Sequence, residues 1–266
     1  MTNFNPEILA AAVMPRQIQV DSASLSLLLC IRHNHVLVSV FDPARQGVVW
    51  RGEFETDPLQ SEWESVIEFI KERNWHRTIF GTCAVVYDNS RGILTPMGLW
   101  SEGIVGSMYK LECGVDLIHP NSVHLPEWDV VYTSENPTWN DAIRNLYPNA
   151  LLLSIDSILL RYARIVADNE SAVLTYFNNA SFRIIIVREG RLLLCNQYNG
   201  STPIDFLYYL RVATAATSIE MKDLKLFFYS EGEFSFSEIG YYLPEHNHWN
   251  SSSESFWDEI HRKCVS

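Results

Sequence analysis

Apolar positions in this chain fall into short runs of strand length and into stripes of helical spacing, and their order repeats. The fullest statement lies between Val173 and Gly232. Ala172–Phe177, Arg183–Val187 and Arg191–Gln197 read as strands, joined by turns at Asn178-Asn179 and Glu189-Gly190. Glu-Gly between two apolar runs is a hairpin signal, because the turn needs residues that tolerate positive φ. A helix follows, with Thr202 as its cap, Pro203 at its first position and Asp205 at its third. Phe206, Leu207, Leu210 and Ala213 form its apolar stripe. Leu224–Tyr229 is a fourth strand, and Ser230-Glu231-Gly232 ends it.

The same order stands earlier in different residues. Leu25–Ile31, Val36–Phe41 and Val48–Phe54 read as strands, separated by Arg32-His33-Asn34-His35 and by Asp42–Gly47. Ser61 and Glu64 form an S-x-x-E capping box ahead of a helix whose buried face is Trp63, Val66, Ile67 and Ile70. Arg77–Tyr87 is the expected fourth strand, ended by the turn residues Asp88-Asn89-Ser90. Two β-β-β-α-β units are therefore expected.

Between them the pattern changes. Turns are expected at Thr95-Pro96, His119-Pro120 and Leu125-Pro126, a strand at Glu127–Tyr132, and a short helix capped by Thr138 with Pro148 past its end. Ala150–Ser154 reads as a strand and Ser154 to Ala167 as an amphipathic helix. The tail from Pro244 is polar and aromatic, with a last helix over Glu254–Lys263. The expected division is a first half over 18–153, with a small insert at 92–148, and a second half over 154–266.

Composition narrows the function classes. A net charge of -12 without any basic run argues against a nucleic-acid partner. The five cysteines are scattered without a C-x-x-C pair, so reduced thiols in a cytoplasmic protein are expected. Apolar runs are far shorter than a membrane span, and no membrane insertion is expected.

The segment from Thr95 to Ala163 resembles an uncharacterised bacterial family of similar length. The resemblance rests on Thr95-Pro96 with Leu99-Trp100, Tyr109–Glu112, Leu125-Pro126 with Asp129–Val131, and Leu146–Ala150. It extends over the strand and helix of Leu192–Leu210. That family is similar in fold to the actin-like ATPases (the actin, sugar kinase and heat-shock chaperone superfamily) and distantly to actin-like pilus-assembly scaffold proteins. The resemblance implies an α/β fold of two ribonuclease H-like halves, with mixed sheets and helices, and no established activity.

In actin-like ATPases the phosphates lie against the turn between the first two strands of each half. Such turns need glycine, so that backbone N–H groups reach phosphate oxygens, and an aspartate to hold Mg²⁺ through water. Arg32-His33-Asn34-His35 and Asn178-Asn179-Ala180-Ser181 hold neither. The expectation is a catalytically inactive actin-like scaffold that binds a protein partner or itself, with no cofactor. The alternative is a divergent nucleotide-binding or kinase-like protein in which Arg32, Asn34, Asn178 and Gly232 grip ATP with Mg²⁺. His33-x-His35 and His246-x-His248 have metal-ligand spacing but no third ligand to name, and are read as turn histidines. Asp156 and Asp205 are read as first-turn charges that favour their helix dipoles. Trp100, Trp128, Trp139, Trp249 and Trp257 lie outside the central strands; some are expected to fill the core and others to supply exposed aromatic contact surface.

Overall fold

A computed structural model describes residues 22–32, 35–55, 62–72, 75, 79–88, 92–96, 102–114, 116–117, 120–125, 128–133, 137–168, 170–178, 181–231, 239, 242–243, 248–251 and 253–265. The chain divides into two units, one of residues 1–157 with 261–266 and one of residues 158–260. The second unit thus stops short of the boundary at 266 expected from sequence, because the segment from His261 returns to the first.

In the first unit β1 (Ser26–Arg32), β2 (His35–Asp42) and β3 (Gly47–Glu55) form an antiparallel meander. After α1 (Glu62–Glu72), β4 (Thr82–Tyr87) returns parallel to β1, and β8 (Leu151–Ser154) lies parallel to β4. The sheet order is β3-β2-β1-β4-β8. Leu27 to Ile31 are fully buried, as a central strand covered on both faces requires. Trp50 meets Trp75 edge to face at 5.0 Å, and Tyr147 donates from its hydroxyl to the Trp75 carbonyl at 3.2 Å.

The insert between β4 and β8 contains β5 (Gly92–Pro96), α2 (Glu102–Cys113), β6 (Pro120–His124), β7 (Trp128–Thr133) and α3 (Pro137–Leu146). Its strands form a separate antiparallel sheet in the order β5-β7-β6. Here the sequence reading needs correction. Thr95-Pro96 and Pro120 belong to strands, at a strand's last and first residues, where a missing N–H is tolerated. Helix α2 was not expected at all. Among its described side chains only Val105, Tyr109 and Cys113 are buried, while Ile104, Met108 and Leu111 face outward and blur the period. The fourth strand starts at Thr82 and not Arg77, and α3 starts at Pro137, which places Thr138 inside the helix. Ser61 of the expected capping box lies outside the described residues.

In the second unit β9 (Ala172–Asn178), β10 (Ser181–Arg188) and β11 (Arg191–Asn199) repeat the meander. Helix α5 (Pro203–Thr217) leads to β12 (Lys225–Glu231), parallel to β9, and β13 (His248–Ser251) adds parallel to β12. The order β11-β10-β9-β12-β13 matches the first sheet strand for strand. Each second strand even slips register against its third strand near the same end, between Val40 and Phe41 and between Ile186 and Val187. Strand β13 was missed from sequence because His-Trp-Asn-Ser has no apolar run.

The Glu189-Gly190 hairpin has positive φ at both residues, 52° and 75°. Around α5, the Thr202 Oγ1 accepts from the Asp205 N–H and the Asp205 Oδ2 accepts from the Thr202 N–H, each at 3.2 Å. Phe206 then packs against Phe177, Phe182 and Phe228, with centroids 5.2, 5.7 and 5.6 Å away. Burying such a side chain contributes about 1.5–3 kcal/mol. Gly200 must lack a side chain, since a Cβ there would stand 2.9 Å from Asp205 Cβ and 3.0 Å from Phe182 Cε1.

Helix α4 (Ile155–Ala167) begins in the first unit and continues into the second; α6 (Ser253–Ile260) belongs to the second, and a π-helical turn, His261–Val265, follows it in the first. Among the described residues no helix is long and apolar enough to cross a membrane.

Candidate functional site

The two hairpin corners are built by the strands that flank them. Arg32 pairs with His35 across β1 and β2, so the connection is the two residues His33 and Asn34. Asn178 pairs with Ser181 across β9 and β10, and the connection is again two residues, Asn179 and Ala180. Asn34 and Gly232, both candidate site residues, lie outside the described residues, as do His33 and His246.

Arg32 ends β1 with its side chain mostly covered, and its Nη1 donates to Glu53 Oε1 on β3 at 2.9 Å. The cation is therefore already matched by a carboxylate. Asn178 is half-buried and stands in register with Ser181 on one side and Glu231 on the other. Arg32 and Asn178 belong to different units, and each corner stands by itself.

Two carboxylates at the same end of the first sheet escaped the sequence reading as site residues. Strands β1, β4 and β8 are parallel, and open α/β sheets place ligands at the carboxyl ends of such strands. Asp88 follows β4, is buried, and donates its N–H to the Ile31 carbonyl at 2.9 Å. Asp156 follows β8 in the first turn of α4 and is also buried. Ser154 caps that helix, its Oγ accepting from the Ser157 N–H at 3.2 Å. A Cβ at Gly92 would stand 3.0 Å from Asp156 Oδ2, so the start of β5 closes over this carboxylate. Asp88 looked like an ordinary turn residue and Asp156 like a dipole partner; burial is what the sequence could not display. Among the described residues no three His, Cys, Asp or Glu side chains gather as metal ligands.

The tryptophan surface is only partly where it was expected. Trp257 is one that fills the core: it is fully buried, because α6 turns it inward beside Phe256 at 5.2 Å. Trp128 is half-buried on β7; Trp139 and Trp249 fall in α3 and β13; Trp100 lies outside the described residues. Exposed apolar side chains gather elsewhere. Ile104, Met108 and Leu111 form one outward stripe on α2, and Ile204, Tyr208 and Val212, 70%, 62% and 46% exposed, form another on α5. A groove of about 520 Å³ also runs between α1 and α3, floored by Ile67, Ala142 and Leu146 and edged by Glu64, Glu68 and Lys71.

Several titratable groups sit deep, among them Tyr162, Tyr229 and His261. In the second unit the Tyr162 hydroxyl donates to Glu259 Oε2 and shares a 2.8 Å hydrogen bond with the Tyr229 hydroxyl. Burial first, then these partners, pushes Tyr162 far above the usual phenol range; burial brings Tyr229 to about 12. In the first unit His261 is fully buried, and burial, with Arg51 second, holds it down to about 3. These groups hold segments in place.

A sequence model of a family described as "Protein of unknown function (DUF3822)" matches residues 16–239. No curated protein matches the sequence. Among solved structures, a Bacteroides thetaiotaomicron protein described as having an actin-like ATPase fold and unknown function is similar with a TM-score of 0.73 and 14% identity, over 90% of this chain and 96% of that chain. The chain is also similar to the PilM–PilN type IV pilus biogenesis complex, with a TM-score of 0.49 and 11% identity, over 92% and 94% of the two chains. For the cytoplasmic domain of EpsL, an inner membrane component of the type II secretion system of Vibrio cholerae, the TM-score is 0.48 and the identity 14%, over 90% and 94%. The first of these likenesses establishes the fold, and the fold alone.

Proposed function

The chain belongs to the DUF3822 family of proteins of unknown function and has an actin-like ATPase fold, and from that premise we propose that it is a catalytically inactive scaffold. It works in the cytoplasm by binding another protein or a second copy of itself, and neither ATP nor Mg²⁺ takes part. The observation that carries this reading is the make-up of the two hairpin corners. Each connection is two residues long, neither holds the glycine or aspartate a phosphate cradle needs, and the one cation at a corner is paired with Glu53.

Other features support it. The stripes on α2 and α5 put apolar side chains in water on helices, where interaction surfaces are commonly found. All five thiols are free, as in a reducing compartment. Matching strand orders and matching register slips support one ancestral module copied twice, with the phosphate-binding corners since lost.

A second reading draws on the buried Asp88 and Asp156 at the carboxyl edge of the first sheet. Here the protein is a divergent nucleotide binder, with Arg32, Asn34, Asn178 and Gly232 taking the place of the usual loops. Calorimetry separates the two. Millimolar ATP with Mg²⁺ is expected to give no saturable heat; saturable heat with phosphate release would overturn the scaffold reading. Zonal sedimentation of the protein alone and in lysate, with Ile204→Asp and Tyr208→Asp beside the wild type, then tests the binding surface.

A further inference from the structure

We propose that His261–Val265 is an acid-released latch on the sheet of the first unit, with His261 as its proton-sensitive pin. The imidazole lies between two strands: Nε2 is 2.9 Å from Ser26 Oγ on β1 and Nδ1 is 3.3 Å from Ser39 Oγ on β2. Ser26 pairs with Phe41 and Leu28 with Ser39, so both serines and Phe41 share one sheet face. The Phe41 ring covers the imidazole at 5.2 Å. His261, Ser26 and Ser39 are all buried, and Val265 is the segment's other buried anchor, while Arg262 and Lys263 face water.

A neutral imidazole suits this slot, since one nitrogen donates to one hydroxyl and the other accepts from the second. An imidazolium does not. Arg51 on β3 is the charged group that acts on His261, and it is a cation. On β1 the charged side chain is Arg32, paired with Glu53. On β2 the titratable side chains are His35 and Asp42, and the Asp42 carboxylate accepts from the Ala44 N–H at 2.9 Å and pairs with Arg45 at 3.3 Å. The segment itself adds Arg262 and Lys263. Burial and the Arg51 cation thus both count against a proton on His261.

Undocked, the residue regains its ordinary pKa of 6.5, against about 3 when docked. Between those values the open form binds a proton and the docked form does not. Opening is thus favoured about tenfold for each pH unit below 6.5, or about thirtyfold from pH 7.5 to pH 5.0.

Hydrogen exchange followed by mass spectrometry on the full chain tests this, with rates corrected for the intrinsic pH dependence of exchange. Amides of 261–265 are expected to lose about thirtyfold of their protection between pH 7.5 and 5.0, while those of β9 and β10 keep theirs. In His261→Gln, which keeps a donor and an acceptor but does not titrate, the acid loss should vanish. An equal loss in His261→Gln, or none in the wild type, overturns the proposal. Should that variant fail to fold, Ser39→Ala serves: it should lower protection at both pH values and leave their ratio unchanged, and a ratio of one overturns the proposal.

Discussion

Arg32 and Glu53 sit on the first and third strands of one sheet and meet across the strand between them, Nη1 donating to Oε1 at 2.9 Å. The guanidinium is largely covered and the carboxylate half-exposed, so the pair is matched in charge without being deeply buried. Glu53→Gln is expected to cost about 1 kcal/mol or less in urea unfolding. If the corner is inert to anions, the variant stays silent in ATP calorimetry even with that ion pair removed.

The start of α5 depends on a reciprocal cap. Thr202→Ala removes the acceptor for the Asp205 N–H and the 2.7 Å hydroxyl contact to Asp205 Oδ2, and is expected to cost about 1 kcal/mol at pH 7. Hydrogen bonds from Thr202 lower the Asp205 pKa below its usual value of 3.8. Its contribution is thus present above that value and fades as pH falls through the lower folded one. Thermal melts at pH 7 and pH 3 should show the mutant and wild type closer together in acid.

The aromatic centre of the second unit is a sharper test of packing. Phe206→Ala is expected to cost about 3–5 kcal/mol, since Phe177, Phe182 and Phe228 cannot all collapse onto the cavity. A loss below about 1 kcal/mol in denaturant titration would mean that the helix does not pack as described.

Alkali should unfold the second unit through its buried phenols. Tyr162 and Tyr229 stay protonated when folded, above the ordinary 10.0, while an unfolded chain gives those protons up. The stability they carry is present below pH 10.0 and is lost as pH rises past it. Tyrosinate absorbance should therefore rise together with the loss of circular dichroism. Tyr162→Phe, which removes the hydroxyl that donates to Glu259, is expected to cost about 1–3 kcal/mol at pH 7.

Both meanders, their helices and the cap at Thr202 were legible because each is written locally, in apolar runs, turn residues and a cap. The insert was harder. Pro96 and Pro120 sit at strand ends and α2 carries apolar residues on two faces, so local rules misread both. Strand β13 owes its place to main-chain pairing with β12, which its side chains do not announce. Asp88, Asp156 and His261 are buried by residues distant in the chain, and no local pattern distinguishes them from turn or surface groups.

Residues that complete the first unit are made after all of the second. On the ribosome, β1 and β2 can pair early, yet the face that takes His261 must stay open until the later domain has been synthesised. For that interval Ser26, Ser39 and Phe41 are bare, and a chaperone or a neighbouring nascent chain has its best opportunity to engage them.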